Sequence, residues 1–325
     1  MPPVAKKQRA TADTPLVIGV DFGTESCRAG VFDAETGVAL GFCSEAYPTT
    51  FPRPSHAEQD PAAWWRALRV AVRGAVAAAR VDPSRIAALS VDTTCCTVVA
   101  FDRAHPERKP LRPAILWMDM RAREQAARVL ATGDPAVVVN SNGQGPVSAE
   151  WFIPKALWIR EHEPDVWGHP SCAIAEFQDW INLRLTGQYV ASRNNVAVRW
   201  HWRAAPGSAA SATSAEPPLS LLRALGVEGE LRARWPGERV LELGARIGAG
   251  LTAEAAEHLG LSEGTIVAQG GADAFIGMLG LGVTKAGEMA MLTVSFFYFL
   301  GRGKGGARDE ERRRAGRVRR RSRLL

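Results

Sequence analysis

A chain of 325 residues with 46% apolar content predicts roughly two domains and a sizeable core, and its longest hydrophobic run near the C-terminus, residues 296–300, is far short of the ~20 residues of a membrane helix. Five cysteines (Cys27, Cys43, Cys95, Cys96 and Cys172) are odd in number and lack C-x-x-C spacing, which argues against a disulfide framework or a zinc site and for a reducing compartment, the cytoplasm. The formal charge of +6 is localised: residues 301–325 hold eleven Lys or Arg against three acids, a net of +8, which leaves −2 for residues 1–300. A basic tail on an acidic body does not point to nucleic acid as a partner.

The N-terminus "MPPVAKKQRATADTP" is polar and basic; residues 1–14 are expected to be disordered, and the composition lacks the apolar centre of a secretory signal while leaving an organelle transit segment open. "LVIGVD" (16–21) and "CRAGVFDA" (27–34) then read as two strands of a hairpin joined by the turn-rich "FGTES", and a third strand fits 38–47. Asp60 and Pro61 pair as N-cap and first helical residue, and Trp64, Leu68, Val72 and Ala75 recur at helical spacing to about Arg80. Strands are expected again at "IAALSVD" (86–92) and "TVVAFD" (97–102), giving an α/β sheet covered by helices.

From about 113 to 200 the pattern turns helical and tryptophan-rich, with helices expected at 121–131, 153–162 and 177–187, the last stopped by Gly187. Most of Trp151, Trp158, Trp180, Trp200 and Trp202 are expected in the core of this insertion rather than on a sugar-stacking surface. Residues 204–218, small, polar and proline-punctuated, read as an exposed loop. Thr252 caps "AEAAEHL" and Gly260 ends it.

Three groups of residues carry possible chemistry. In "VDFGTES", Asp21 at a strand end followed by Gly23 and Thr24 can surround one anionic point with a carboxylate and backbone amides, as a Mg²⁺-bound polyphosphate requires; an ordinary β-turn satisfied by its own Asp and Thr is the alternative. No G-x-x-x-x-G-K-[ST] occurs, which argues against a P-loop NTPase. In "QGGADAFIGMLG" (269–280), Asp273 stands among small and apolar residues, either as a helix N-cap or as a catalytic carboxylate at a helix start. Glu176 and Asp179, three apart in "EFQDW", would share a helix face, more plausibly for structure than for a ligand.

"GVDFGTESCRAGVFD" resembles the first phosphate-binding hairpin of the FGGY carbohydrate kinases, in the ribonuclease-H-like superfold of actin and sugar kinases. "VDTTCCTVVAFD" (91–102), "AILWMDMRA" (114–122), "VSAEWFIPKALWIREHEP" (147–164), "AEFQDWINLRLTGQYVASRNNVAVRWHW" (175–202) and the segment 250–283 follow in family order. The resemblance runs from about 16 to about 293 and points to the branch that phosphorylates D-ribulose and related pentuloses with ATP and Mg²⁺. It implies an α/β, ribonuclease-H-like N-terminal domain with a helical insertion over 15–280, the start of a second domain at 281–300, and a disordered basic tail at 301–325. It further implies Asp273 as the general base, Asp21 near Mg²⁺, and Gly23 and Thr24 at the phosphates.

By the same resemblance Cys95, Asp119 and Arg121 lie near the sugar. Burial between strands is the alternative for Cys95 and Cys96, and a structural ion pair the alternative for Asp119 and Arg121. After "GEMAMLTVSFFYFLG" the chain departs from the family, which carries a G-S-S-H-like turn and a second α/β domain with the adenine pocket. A truncated or mis-framed end, with activity weakened or lost, is the expectation this departure raises; a sugar-binding fragment without catalysis is the alternative.

Overall fold

The computed structural model describes residues 14–138, 147–204, 215–235, 239–285, 287–293 and 297–301. The described residues form two compact units that divide after Asp273. The basic tail beyond Gly301, the first 13 residues and most of the expected 204–218 loop lie outside the described residues.

In the first unit, β1 (Leu16–Phe22), β2 (Ser26–Asp33) and β3 (Ala39–Ala46) form an antiparallel meander, as the alternating and continuous apolar runs predict. After the short β4 (Glu58–Gln59), α1 (Pro61–Ala79) packs on the meander. Asp60 caps it by accepting the Ala62 N–H at 2.9 Å, and Trp64, Leu68, Ala71, Val72 and Ala75 turn one stripe inward. Each large aliphatic chain so buried contributes roughly 1.5–3 kcal/mol. β5 (Ile86–Thr93) then pairs parallel with the free edge of β1.

The expected run 97–102 does not extend this sheet. β6 (Val98–Asp102) joins β4, β7 (Ala114–Ile115) and β8 (Cys172–Glu176) in a second, antiparallel sheet of order β4-β7-β6-β8. β8 falls inside the region expected to be helical. A fully buried run of five such as "CAIAE" has no periodicity to separate strand from helix, and pairing with β6 decides it.

Around the second sheet lie α2 (Arg123–Ala131), α3 (Phe152–His162), α4 (Pro164–Trp167) and α5 (Phe177–Thr186), the last closed by Gly187 in the left-handed region. β9 (Ala191–Ser192) and α6 (Arg193–Arg199) follow, and a two-residue ladder of β10 (Arg203–Ala204) and β11 (Ala215–Glu216) closes the ends of the 204–218 segment. α7 (Leu219–Ala224), α8 (Glu228–Arg232) and β12 (Val240–Leu241), parallel to β9, lead to α9 (Ala253–Leu259), capped by Thr252 and Gly260 as expected. β13 (Ile266–Ala268) pairs parallel with β5 and completes a five-stranded sheet of order β13-β5-β1-β2-β3.

Two apolar cores result. One joins the five-stranded sheet to α1, α5 and α9, where Trp64 and Phe177 stack at 3.5 Å between centroids. The other gathers Phe152, Trp200, Trp202 and Trp235 against β6 and β7, with Phe152 and Trp200 stacked at 3.6 Å. Trp151, Trp180, Trp200 and Trp202 are buried, as expected of core residues. α10 (Asp273–Gly280) begins at the last residue of the first unit, and the second unit ends in an antiparallel hairpin of β14 (Met289–Thr293) and β15 (Phe297–Gly301). Among the described residues no helix is long and apolar enough to cross a membrane.

Candidate active site

Three aspartates meet where parallel strands end. Asp21 is the penultimate residue of β1 and Asp92 the penultimate residue of β5, and the parallel register sets them side by side. Beyond β13 the backbone keeps running along β5: Thr93 N–H donates to Gly271 O at 3.2 Å and Ala272 bridges Thr93. Asp273 therefore emerges past the end of β5, in the first turn of α10. This close run requires Gly270, because a Cβ there would lie 1.8 Å from Val91 O. The carboxyl ends of parallel strands are where open α/β sheets bind ligands.

Asp21 pairs across the hairpin with Arg28 at 2.9 Å and hydrogen-bonds with the Asp92 carboxyl. Burial, then the charges of Asp21 and Asp273, push the Asp92 carboxyl up to about 8, and its Oδ1 is buried without a hydrogen-bond partner. Asp92 was not singled out from the sequence, although "IAALSVD" repeats the pattern of "LVIGVD", an apolar run closing on Val-Asp.

The hairpin turn is fixed from outside. Tyr47 Oη donates to Gly23 O and Ser26 O, the Gly23 N–H donates to Ser26 O at 3.1 Å, and Thr24 accepts Gln59 Nε2 on its carbonyl and Trp117 Nε1 on its hydroxyl. The Gly23 amide is thus engaged inside the turn, and glycine there leaves room for Arg28, whose Nη2 would lie 2.5 Å from a Cβ. The side chains of Asp21 and Thr24 bond outward, to Arg28, Asp92 and Trp117, rather than to their own turn.

Cys95 and Cys96 lie in the turn from β5 to β6. Cys96 has φ +63°, a conformation that non-glycine residues adopt at a cost of roughly 1–3 kcal/mol and that its surroundings must impose. Its N–H donates to the Glu176 carboxylate and its carbonyl accepts Lys155 Nζ at 2.8 Å. Lys155, fully buried, also donates to Leu116 O at 2.6 Å; Glu176 accepts Trp200 Nε1 at 2.6 Å and Asn195 Nδ2 at 2.8 Å. Burial pushes Lys155 down to about 8 and Glu176 up to about 7. Glu176 closes β8 and precedes α5, so it does not share a helix face with Asp179, as the spacing suggested. Asp179 is buried and accepts the Ser192 N–H at 3.2 Å.

Asp119 and Arg121 form the structural ion pair. Asp119 is 0% exposed and accepts the Ala57 N–H, the Arg121 N–H and the Arg121 guanidinium. Arg121 also pairs with Glu58 at 2.8 Å and lies over Trp158, with its guanidinium carbon 4.8 Å from the ring centroid. The enclosed carboxylate is thus saturated by the pair and by the Ala57 amide, the structural alternative raised for these two residues.

The N-terminal-domain model of the FGGY family of carbohydrate kinases matches residues 16–199, more than half of the chain. The chain belongs to the FGGY family of carbohydrate kinases. It is 29% identical over 300 residues to a ribulokinase of Shouchella clausii, covering 85% of this chain and 51% of that protein. It is 33% identical over 275 residues to a xylulose kinase of Streptomyces coelicolor, covering 84% and 52%. The crystal structure of xylulose kinase from Rhodospirillum rubrum superposes with a TM-score of 0.70 at 26% identity, covering 85% of this chain and 52% of that one. The FGGY chain described here thus has the ribonuclease-H-like fold of the family with a helical insertion, and spans about half the length of the curated relatives it matches.

Proposed function

We propose that the chain carries the sugar and phosphate-hairpin half, residues 15–280, of an ATP-dependent ketopentose kinase with D-ribulose as the expected substrate, and that 281–300 begin a second domain. The observation that supports this most is the meeting of Asp21, Asp92 and Asp273 at the carboxyl ends of adjacent parallel strands. Asp273 takes the proton of the attacking sugar hydroxyl as that oxygen approaches the γ-phosphorus in line, Thr24 faces the phosphates, and Cys95 borders the sugar. Holding both substrates at this edge supplies much of the rate, through position rather than covalent chemistry.

The residues fit Mg²⁺. Asp92 Oδ1 is a buried oxygen without a partner beside the Asp21 carboxylate, and Mg²⁺ takes one or two carboxylates together with phosphate oxygens and water rather than an all-protein cage. Asp21 would hold the ion with Asp92 beside it, and the bound ion neutralises charge on the transferring phosphoryl oxygens.

D-Ribulose-dependent ADP release from ATP and Mg²⁺ should be measurable and should fall about 10²–10⁴-fold in Asp273→Asn, the range a general base contributes; an unchanged rate removes Asp273 from that role. A second reading is sugar binding without turnover. Calorimetric heat on adding D-ribulose, with no ADP release, assigns it.

A further inference from the structure

We propose that Cys95 and Cys96 form a vicinal dithiol site for a neutral thiophilic centre, of the chemical class of trivalent arsenicals. The Cys96 thiol donates to Cys95 Sγ across 3.8 Å, so both sulfurs face one point. Cys95 is half-buried and open to solvent, whereas Cys96 is 4% exposed. The hydrogen bond to Cys95 and burial push the Cys96 thiol well up. Cys95 is therefore the first sulfur to attack, and Cys96, its hydrogen-bond donor, the one that closes the chelate.

The turn favours a bridging atom over a disulfide. Neighbouring Cα atoms lie about 3.8 Å apart across a trans peptide, below the ~4.4–6.8 Å that unstrained disulfides span. Cys96 is held in this turn by Lys155, whose Nζ donates to its carbonyl at 2.8 Å. One central atom with two bonds of about 2.3 Å, the length of a metal–thiolate bond, reaches up to ~4.6 Å and closes the gap between the sulfurs with the backbone in place. A dication is disfavoured: the Lys155 ammonium lies 2.8 Å from Cys96 O, and no third metal-ligating side chain joins the pair among the described residues.

The reaction balances without an oxidant. With a monosubstituted arsenical, R–As(OH)₂, two As–S bonds form and two As–O bonds break, both thiol protons leave with the hydroxyls as two waters, and arsenic stays trivalent.

The test uses the full chain and phenylarsine oxide. Mass spectrometry should show one arsenical per chain, removed by excess small dithiol but retained in excess monothiol. Cys95→Ser and Cys96→Ser should each weaken binding by about 10²–10⁴-fold, the gain of a linked second contact, while Cys43→Ser, which removes the half-exposed thiol on β3, leaves it unchanged. To separate a lost site from a misfolded variant, monofunctional alkylation of Cys95 in the unsubstituted protein should equally prevent uptake. Absence of an adduct, equal release by monothiol, or an adduct that survives alkylation of Cys95 overturns the proposal. Slowing of adduct formation by D-ribulose supports the location of the dithiol on the sugar pocket, which rests on the proposed function. An intact adduct formed at an unchanged rate refutes that location and leaves the chelation standing.

Discussion

Replacing Glu176 by Gln should flatten the pH dependence of stability. The carboxyl titrates at about 7 when enclosed, against the usual 4.5, and the chief cause is burial. Between those values the folded state holds a proton that the unfolded chain has lost, so stability falls as pH rises, by about 1.36 kcal/mol per unit. The full term is present below pH 4.5 and is gone above pH 7. Over the ~2.5 units of that window the loss is on the order of 3 kcal/mol, undiminished by solvent because Glu176 is 0% exposed.

Gln cannot ionise, yet its Oε1 still accepts Trp200 Nε1, and its amide can donate to Asn195, whose Oδ1 is buried without a partner and faces it once that amide is turned. Urea unfolding at intervals from pH 4.5 to 8 should show Glu176→Gln gaining about 3 kcal/mol on the parent across the window. Asp92, Asp179 and Lys155 titrate in both proteins, so only the difference between the two curves is read. A difference that stays level with pH refutes the assignment of a raised, burial-driven carboxyl.

Gly270→Ala should cost more than the ~1–3 kcal/mol of ordinary overpacking and abolish D-ribulose-dependent ADP release, because its Cβ meets Val91 backbone oxygen. Gly271→Ala, which meets the side chains of Asn194 and Leu243, should cost less, and equal costs in denaturant unfolding would contradict the crossing geometry. Arg121→Met should destabilise by about 3–5 kcal/mol, since it leaves the enclosed Asp119 uncompensated, with Asp119→Leu added to it restoring more than half. A double variant no more stable than Arg121→Met would show that lost packing, not the stranded charge, sets the cost.

Local signals carried most of the secondary structure. Asp60 with Pro61, Thr252 with Gly260, and Gly187 mark helix ends through bonds made within four residues, so they are readable in a single sequence. The departure of β6 from the first sheet depends on β8, more than 70 residues downstream, and has no local signature. Lys155 shows the same limit: a lysine in "FIPKALWIREH" suggests a solvent-facing helix position, and only the carbonyls of Cys96 and Leu116, from two distant segments, make its burial tolerable. Asp119 and Arg121 were legible as a pair, but whether a pair lines a pocket or braces a core depends on Ala57, Glu58 and Trp158 around it.

The carboxylate edge also constrains how an anionic ligand could arrive. At this edge Arg28 pairs with Asp21, and the charges of Asp21 and Asp273 both act to raise the buried Asp92 carboxyl. A polyphosphate brought to such an edge would meet like charge, worth about 4 kcal/mol per pair at 4 Å in an effective dielectric of ~20. A cation arriving with the phosphates reverses that sign and offsets the repulsion between Asp21 and Asp92. Nucleotide binding that strengthens steeply with Mg²⁺, and whose Mg²⁺ dependence falls away in Asp21→Asn, follows from the proximity of Asp21 and Asp92. Binding of ATP with equal affinity in the absence of divalent cations would contradict it.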